Sequence, residues 1–320
     1  MINVVYLGTP QIAVNALNKL INFNDINMVY VITPSDKPQG RGYKMCAPCV
    51  KQAALKNNLK VLQTDCIRKD REIIETLKNA DIDFLITFAF GQILSQEILD
   101  IPKYGTINLH ASLLPKYRGA NPIQRAILNG DETTGITTMI TSLGLDEGDI
   151  CQTEEIKIEK DMGLLALSQK ISDKAPFLLY KTIKGLYTKT LTPQKQSDDK
   201  NLISYANKCS KENMVLNFNQ TTDEFYNKIR AFDCCGNAYF CFNNKKIKVT
   251  LAIPTQTNQE NPSGKIIEIS QDGVTITTKD NAITLKKIKP EGHILAIFIV
   301  IEVDVLVSHT CLQTQITEIS

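Results

Sequence analysis

The stretch Asn3-Val-Val-Tyr-Leu-Gly8-Thr-Pro10, running on through Phe23 to Met28-Val-Tyr-Val-Ile-Thr33, decides the fold. Asn3–Leu7 is a short apolar run closed by Gly8. From Pro10 to Phe23 the residues Ile12, Ala16, Leu17 and Leu20 share one helical face, and Met28–Thr33 is apolar again. Such continuous runs are the mark of parallel strands whose two faces are covered by helices. The alternation continues downstream. Gln52–Asn57 and Asp70–Asn79 read as helices; Phe84–Phe88, Thr106–His110 and Gly135–Ser142 read as strands. Gly163–Tyr187 carries Leu164, Leu167, Ile171, Leu178 and Ile183 at helical spacing, with a kink expected at Pro176. The pattern predicts an α/β domain over residues 1–189, built on a Rossmann-like, doubly wound, mostly parallel sheet. The turn Gly8-Thr-Pro10 has one glycine instead of the spaced set that a dinucleotide pyrophosphate needs, which argues against a nicotinamide dehydrogenase.

Residues 190–206 turn polar (Thr-Pro-Gln-Lys-Gln-Ser-Asp-Asp-Lys-Asn) and read as a linker. A second domain is expected over 207–320. It begins with a short helix at Thr222–Phe232, followed by strand-like pieces at Ala238–Phe242, Lys246–Ile253, Gly264–Ser270, Gly273–Thr278 and Ala282–Ile288. The turn signals Gln-Asp-Gly and Lys-Asp-Asn make this a small antiparallel barrel or sandwich.

The balance of 43% apolar and 22% charged residues over 320 positions is that of a soluble globular protein. The longest apolar stretch, Ile294–Val307, is interrupted by Glu302 and Asp304 and is too short to span a bilayer. A net charge of +2 provides no global field for nucleic acid, so an RNA partner must be sought in local patches. One such patch is Pro34–Lys60, where Lys37, Arg41, Lys44, Lys51, Lys56 and Lys60 face only Asp36. Nine cysteines, an odd number spread over a long chain, read as reduced thiols in a cytoplasmic protein, and the opening residues carry no basic leader. Cys46-x-x-Cys49 lacks a second pair at metal-ligand spacing, so no metal is expected.

Chemistry concentrates in Gly105-Thr-Ile-Asn-Leu-His-Ala-Ser-Leu-Leu-Pro-Lys-Tyr-Arg-Gly119. On a strand over Thr106–His110, Asn108 and His110 point to the same face. They lie at the carboxyl end, where open α/β sheets bind ligands. An amide beside an imidazole can hold a developing oxyanion and move a proton. Taken alone, the pair reads more readily as a loop-pinning amide and a hydrogen-bonded core histidine. His110 is, however, the only histidine before His293. Asp146 stands in the glycine-flanked turn Gly144-Leu-Asp-Glu-Gly148, which could aim its carboxylate at the same cleft or merely cap the turn.

Asn108-Leu-His110, Ser112-Leu-Leu-Pro115-Lys-Tyr-Arg-Gly119, Pro122-Ile-Gln-Arg-Ala126 and Gly144-Leu-Asp146-Glu-Gly148-Asp149 together resemble the 10-formyltetrahydrofolate-dependent formyltransferases. Tyr6-Leu-Gly8-Thr-Pro10, Asp36-Lys-Pro-Gln-Gly40-Arg41-Gly42, Phe88-Ala-Phe-Gly91-Gln-Ile-Leu94, Ser204-Tyr-Ala and Lys228-Ile-Arg230-Ala-Phe232 fit the same family, and within it the branch that formylates methionyl-tRNA. The resemblance runs over residues 1–290. It implies a catalytic trio of Asn108, His110 and Asp146, with Asp146 acting through a water. It also implies folate contacts from Ser112, Leu113, Leu114 and Pro115 and from Phe88, Gly91, Ile93 and Leu94. The basic loop would then meet the acceptor end of tRNA through Arg41 and Lys44, and the second domain would be an OB-like, tRNA-binding β-barrel. The implied donor is 10-formyltetrahydrofolate and the acceptor initiator methionyl-tRNA, bound by a monomer with no membrane attachment. A formyltransferase acting on a nucleotide-linked amino sugar would share the trio, and the basic loop and second domain argue against it. A catalytically dead tRNA- or folate-binding homologue is disfavoured by the intact trio. Asp233-Cys-Cys-Gly-Asn237 and the apolar, β-branched run Ile294–Val307 depart from the family pattern.

Overall fold

The computed structural model describes residues 1–39, 43–258 and 261–291. The tail from 292 onward, with the run Ile294–Val307, lies outside them. The described chain forms two compact units, one of residues 1–122, 133–157 and 168–207, the other of 123–132, 158–167 and the chain from Lys208.

Along the chain come β1 (Ile2–Gly8), α1 (Val14–Leu20), β2 (Ile26–Thr33), β3 (Lys37–Gln39), β4 (Lys44–Cys46), α2 (Cys49–Lys56) and β5 (Val61–Gln63). They are followed by α3 (Arg71–Lys78), β6 (Phe84–Phe88), α4 (Gln96–Leu99), β7 (Thr106–His110), α5 (Pro122–Leu128), β8 (Thr133–Ile140), β9 (Ile150–Lys157) and α6 (Leu164–Tyr187). Among the described residues, the first unit's main sheet has seven strands in the order β5-β2-β1-β6-β7-β8-β9. The five strands from β5 to β7 run parallel, while β8 and β9 are added antiparallel. The chain runs outward from β1 to β5, then returns to place β6 on the other side of β1, which puts a reversal of strand order beside β1.

Val4, Val5, Tyr6 and Leu7 of β1 are fully buried, as the unbroken apolar run requires. Tyr6 keeps its hydroxyl satisfied by donating to the Ala13 carbonyl at 2.7 Å, and burial pushes its phenol far above the usual range. The helical face read over Pro10–Phe23 is split between a 3-10 turn at Gln11–Ala13 and α1. Strands β5 and β9 and the β3–β4 hairpin are not legible in the pattern, β5 being a half-buried edge strand of three residues. β9 alternates burial at an antiparallel edge, and the hairpin is short and mostly exposed.

Helix α6 continues through Pro176. Proline has no N–H for the carbonyl four residues back, here Ser172. That carbonyl instead accepts the Asn15 side-chain amide at 2.9 Å, and the Ser172 hydroxyl donates to the Ile12 carbonyl at 3.0 Å. The helix break thus becomes a joint to the α1 region, at no loss of paired backbone.

The second unit contains α7 (Thr222–Ala231), β10 (Tyr239–Phe242), β11 (Lys245–Thr255), β12 (Ile266–Ser270), β13 (Gly273–Thr277) and β14 (Ala282–Pro290). Thr221 and Glu224 form a reciprocal capping box at the start of α7. The strands make an antiparallel sheet in the order β10-β11-β14-β13-β12. Phe225 and Ile229 of α7 pack with Val249, Ile276, Ile283 and Leu285 of that sheet. No helix among the described residues is long and apolar enough to cross a membrane.

Near the C-terminal end of α6, Lys184 donates to Asp25 at 2.6 Å, Tyr180 donates to the same carboxylate at 3.2 Å, and the Tyr180 ring stacks on Phe23. The Lys184 hydrogen bond holds the Asp25 carboxyl below its ordinary 3.8. A carboxyl whose pKa is depressed on folding stabilises above its unfolded value, and the contribution is lost as the pH falls toward the folded value. Asp25→Asn is therefore expected to lower Tm by about 1–3 °C at pH 7, the scale of a half-exposed ion pair. Thermal unfolding followed by circular dichroism from pH 7 to 3 should show the deficit closing below about pH 4.

Candidate active site

The site is built at the carboxyl end of β7. Parallel pairing sets Thr87 of β6 beside Asn108, and antiparallel pairing sets Thr137 of β8 beside His110. The Thr87 hydroxyl donates to Asn108 Oδ1 at 2.8 Å, which fixes which end of the amide faces the cleft. Asn108 Nδ2 then donates to Asp146 Oδ1 at 3.3 Å.

His110 is buried, with 6% of its surface exposed. Its Nε2 stands 2.8 Å from the Tyr117 carbonyl, an acceptor only, so Nε2 carries the hydrogen. Nδ1 faces Asp146 Oδ2 at 3.5 Å, beyond a normal hydrogen bond and within ion-pair range. A proton taken up at Nδ1 therefore leaves each ring nitrogen beside an oxygen. The other interaction of Asp146 Oδ2 is with the Gly119 N–H, which donates to it at 2.8 Å.

Asp146 itself sits at the tip of the β8–β9 loop with φ 52. That loop is closed at its base by the Ile140 N–H to the Asp149 carbonyl at 2.9 Å. Gly148 is obligatory, since a Cβ there would lie 1.6 Å from the Ile140 carbonyl oxygen. Gly119, at φ 114, lets the chain pass beside the Ala206 carbonyl, which an added Cβ would approach to 2.9 Å.

The turn Ser112-Leu-Leu-Pro115 is held from below. Thr137 on β8 donates to the Ser112 carbonyl at 2.7 Å and accepts the Leu114 N–H at 3.2 Å. The Ser112 hydroxyl is fully buried and donates to the Lys116 carbonyl, Leu114 is also buried, and Leu113 lies over Gly135. These side chains shape the turn, and Leu113 and Pro115 are its half-exposed members. After β6, burial alternates: Phe88, Phe90 and Leu94 face inward, while Ala89, Gly91 and Ile93 face outward. Leu94 packs in the core with Phe90 and Ile98, so its side chain belongs to the core. Gln92 staples this loop through the Ile67 N–H at 2.8 Å and the Thr64 carbonyl at 2.7 Å.

Arg41 lies outside the described residues. Lys44 is exposed on β4, flanked by Tyr43 and Met45, which are 82% and 58% exposed. Lys51, counted in the basic loop, is instead chelated by Asp36 at 2.8 and 2.9 Å and donates to Gln63 at 2.7 Å. It buttresses the hairpin's base and contributes little free charge. Among the described residues, no group of three or more His, Cys, Asp or Glu side chains is placed to hold a metal ion.

Sequence reasoning missed Thr87, the Tyr117 carbonyl and the Gly119 N–H. Thr87 left a trace, as the one hydroxyl inside the apolar run Phe84-Leu-Ile-Thr-Phe88. The two backbone groups carry no side-chain signal at all.

Residues 2–183 match the family model described as formyl transferase, and 208–296 match the formyl transferase C-terminal domain. The chain belongs to the formyl transferase family. Among curated relatives, the methionyl-tRNA formyltransferase of Clostridium tetani is 42% identical over 90% of this chain and 92% of its own length. That of Clostridium acetobutylicum is 40% identical over 91% and 93%. Solved structures share the fold at lower identity. The N-formyltransferase of Helicobacter canadensis, solved with folinic acid and dTDP-3-aminofucose, gives a TM-score of 0.66 at 23% identity, covering 89% of this chain and 99% of that one. HypX of Aquifex aeolicus, with tetrahydrofolic acid, gives 0.60 at 14%, covering 91% of this chain and 45% of that one.

Thr87→Val keeps the shape and removes the donor to Asn108. With a hydrogen bond worth roughly 0.5–1.5 kcal/mol, formyl-transfer kcat should fall about 3- to 10-fold. Steady-state kinetics with a parallel melting curve checks that the loss is in turnover and not in folding.

Proposed function

We propose that this chain transfers the formyl group of 10-formyltetrahydrofolate to the free amino group of methionyl initiator tRNA. The observation that supports it best is the convergence of Asn108, His110 and Asp146 at the end of β7 within hydrogen-bonding and ion-pairing range. The amine attacks the formyl carbon and a tetrahedral oxyanion forms. Collapse breaks the bond to N10, so the amine gains the formyl group and N10 gains the proton. Asn108 Nδ2 has a second hydrogen available for the oxyanion, and His110 relays the proton through Nδ1 while Asp146 balances the charge. In this reading Asp146 acts on the imidazole directly across 3.5 Å.

The donor is assigned to the Ser112–Pro115 turn and the loop 88–94, whose exposed Ala89, Gly91 and Ile93 leave backbone groups open to a pterin. The acceptor end of the tRNA is assigned to the β3–β4 hairpin, through Arg41 and Lys44. Exposed Tyr43 adds a face on which a base can stack. Names of relatives at 42% and 40% identity favour this acceptor over the amino sugar of the more distant structures. We assign the chain to two working parts, catalytic residues 1–189 and a tRNA-binding domain from 207, joined by 190–206.

Labelled formyl from 10-formyltetrahydrofolate should appear on initiator methionyl-tRNA and not on uncharged tRNA. Transfer to a nucleotide-linked amino sugar alone would overturn the assignment. His110→Ala should lose roughly 10²- to 10⁴-fold in kcat, the usual weight of a general acid–base group. A variant as active as the parent would sink the mechanism. Lys44→Ala should weaken tRNA binding and reduce the slope of log affinity against log salt by about 1, measured by filter binding at several salt concentrations.

A further inference from the structure

The segment 190–206 does not pass freely by the site. Gln194 pairs with Ile150 through two backbone hydrogen bonds of 2.7 and 2.8 Å. Ser204 and Ala206 are laced to Tyr117, Arg118 and Asn121, with the Arg118 N–H to the Ser204 carbonyl at 2.8 Å and the Ala206 N–H to the Arg118 carbonyl at 2.7 Å. Between these two seams lies Gln196, only 5% exposed amid otherwise polar text.

The amide of Gln196 is fully used. Its Nε2 donates to the Asp146 carbonyl and to the Gly148 carbonyl, both at 2.8 Å. Its Oε1 accepts Arg118 Nε at 3.2 Å and Nη2 at 2.8 Å. Arg118 is itself 6% exposed, and its Nη1 reaches Glu147 at 3.4 Å. The other hydrogen bonds of the loop hold its base and the Asp146 carboxylate, while Leu143 and Leu145 are 64% and 59% exposed and Asp146 holds φ 52, where a non-glycine residue needs support from its surroundings.

We propose that Gln196 is a positioning residue for the reaction: it clamps the backbone on both sides of Glu147 and thereby sets the Asp146 carboxylate against His110. The clamp rests on the formyl-transfer reading, but its geometry can be tested apart from it. Only an amide fits this role. A carboxylate would still satisfy Arg118 while turning an oxygen without a hydrogen toward two carbonyl oxygens.

Gln196→Glu therefore separates the two roles the residue could have. If Gln196 serves only to neutralise the polarity of buried Arg118, the variant behaves as the parent. If it holds the loop, kcat falls about 10- to 100-fold with KM for the donor within threefold in a protein still folded at the assay temperature, and amide hydrogen exchange quickens more over 142–149 than elsewhere in the chain. Placed on Asp146→Asn, the same change should cost no further factor beyond about twofold, because both act through one carboxylate. Turnover within twofold of the parent, unchanged exchange, or full additivity with Asp146→Asn would each overturn the proposal. Gln196→Asn, which keeps the amide but falls one methylene short, gives the same pattern and serves if the glutamate variant does not fold. A parent protein without formyl transfer would defeat the functional reading alone, since the exchange comparison still decides the clamp.

Discussion

A carboxylate on the tip of a loop is the hardest of the three groups to hold, and the architecture around it follows from that constraint. Asn108 and His110 are placed by strand geometry, since residues two apart on β7 share a face by construction. Asp146 has no such help. Its left-handed backbone and the exposed leucines beside it both favour drift. The restraint comes from elsewhere: the Gly119 N–H and the Asn108 amide on its two oxygens, and the Gln196 amide on its carbonyl. Polar groups in a poorly hydrated setting hold strongly when every member has its partner, and this network leaves none of these amide oxygens or carboxylate oxygens idle.

What was legible in the sequence is what depends on periodicity. The apolar runs located four of the five parallel strands, missing the three-residue, half-buried edge strand β5, and the Asn-x-His spacing located a shared face. The glycines around Asp146 signalled a tight turn, and Gly148 does sit where no Cβ fits. What was not legible depends on pairing between distant segments. Nothing in Phe84–Phe88 says that its threonine stands beside Asn108; that is a matter of register between two strands. Nothing in the polar run after Thr188 distinguishes Gln196 from its exposed neighbours, because burial there is conferred by Arg118 and by the pairing of Gln194 with Ile150. The turn Ser112–Pro115 and the loop 88–94 show the same limit from the other side. Their motifs are readable, yet the burial of Ser112, Leu114 and Leu94 gives those side chains shaping work within the protein.

Charge counting met a similar boundary. Six basic residues against one acid in Pro34–Lys60 suggest a uniform patch. Folding sorts them. Lys51 is consumed by Asp36 and Gln63 at the base of the hairpin, while Lys44 remains at its exposed part beside Tyr43 and Met45. The one acid of the segment thus stiffens the stem that presents the remaining charge. A cation spent on rigidity shortens the range of conformations an exposed hairpin must give up when it meets a ligand.

The seam formed by Gln194, Gln196, Ser204 and Ala206 also changes where the first unit ends. By sequence similarity the amino-terminal family region stops at residue 183. By hydrogen bonding it stops at Asn207, because the backbone of Arg118 and Asn121 is completed by residues up to Ala206. Excising the smaller region would strip a buried guanidinium of its amide-oxygen partner and unpair the start of the edge strand β9. In modular terms, the polar segment is a part of the first unit: any recombination that exchanges the carboxyl-terminal family region must carry its crossover beyond Ala206, or it exchanges a piece of the first unit as well.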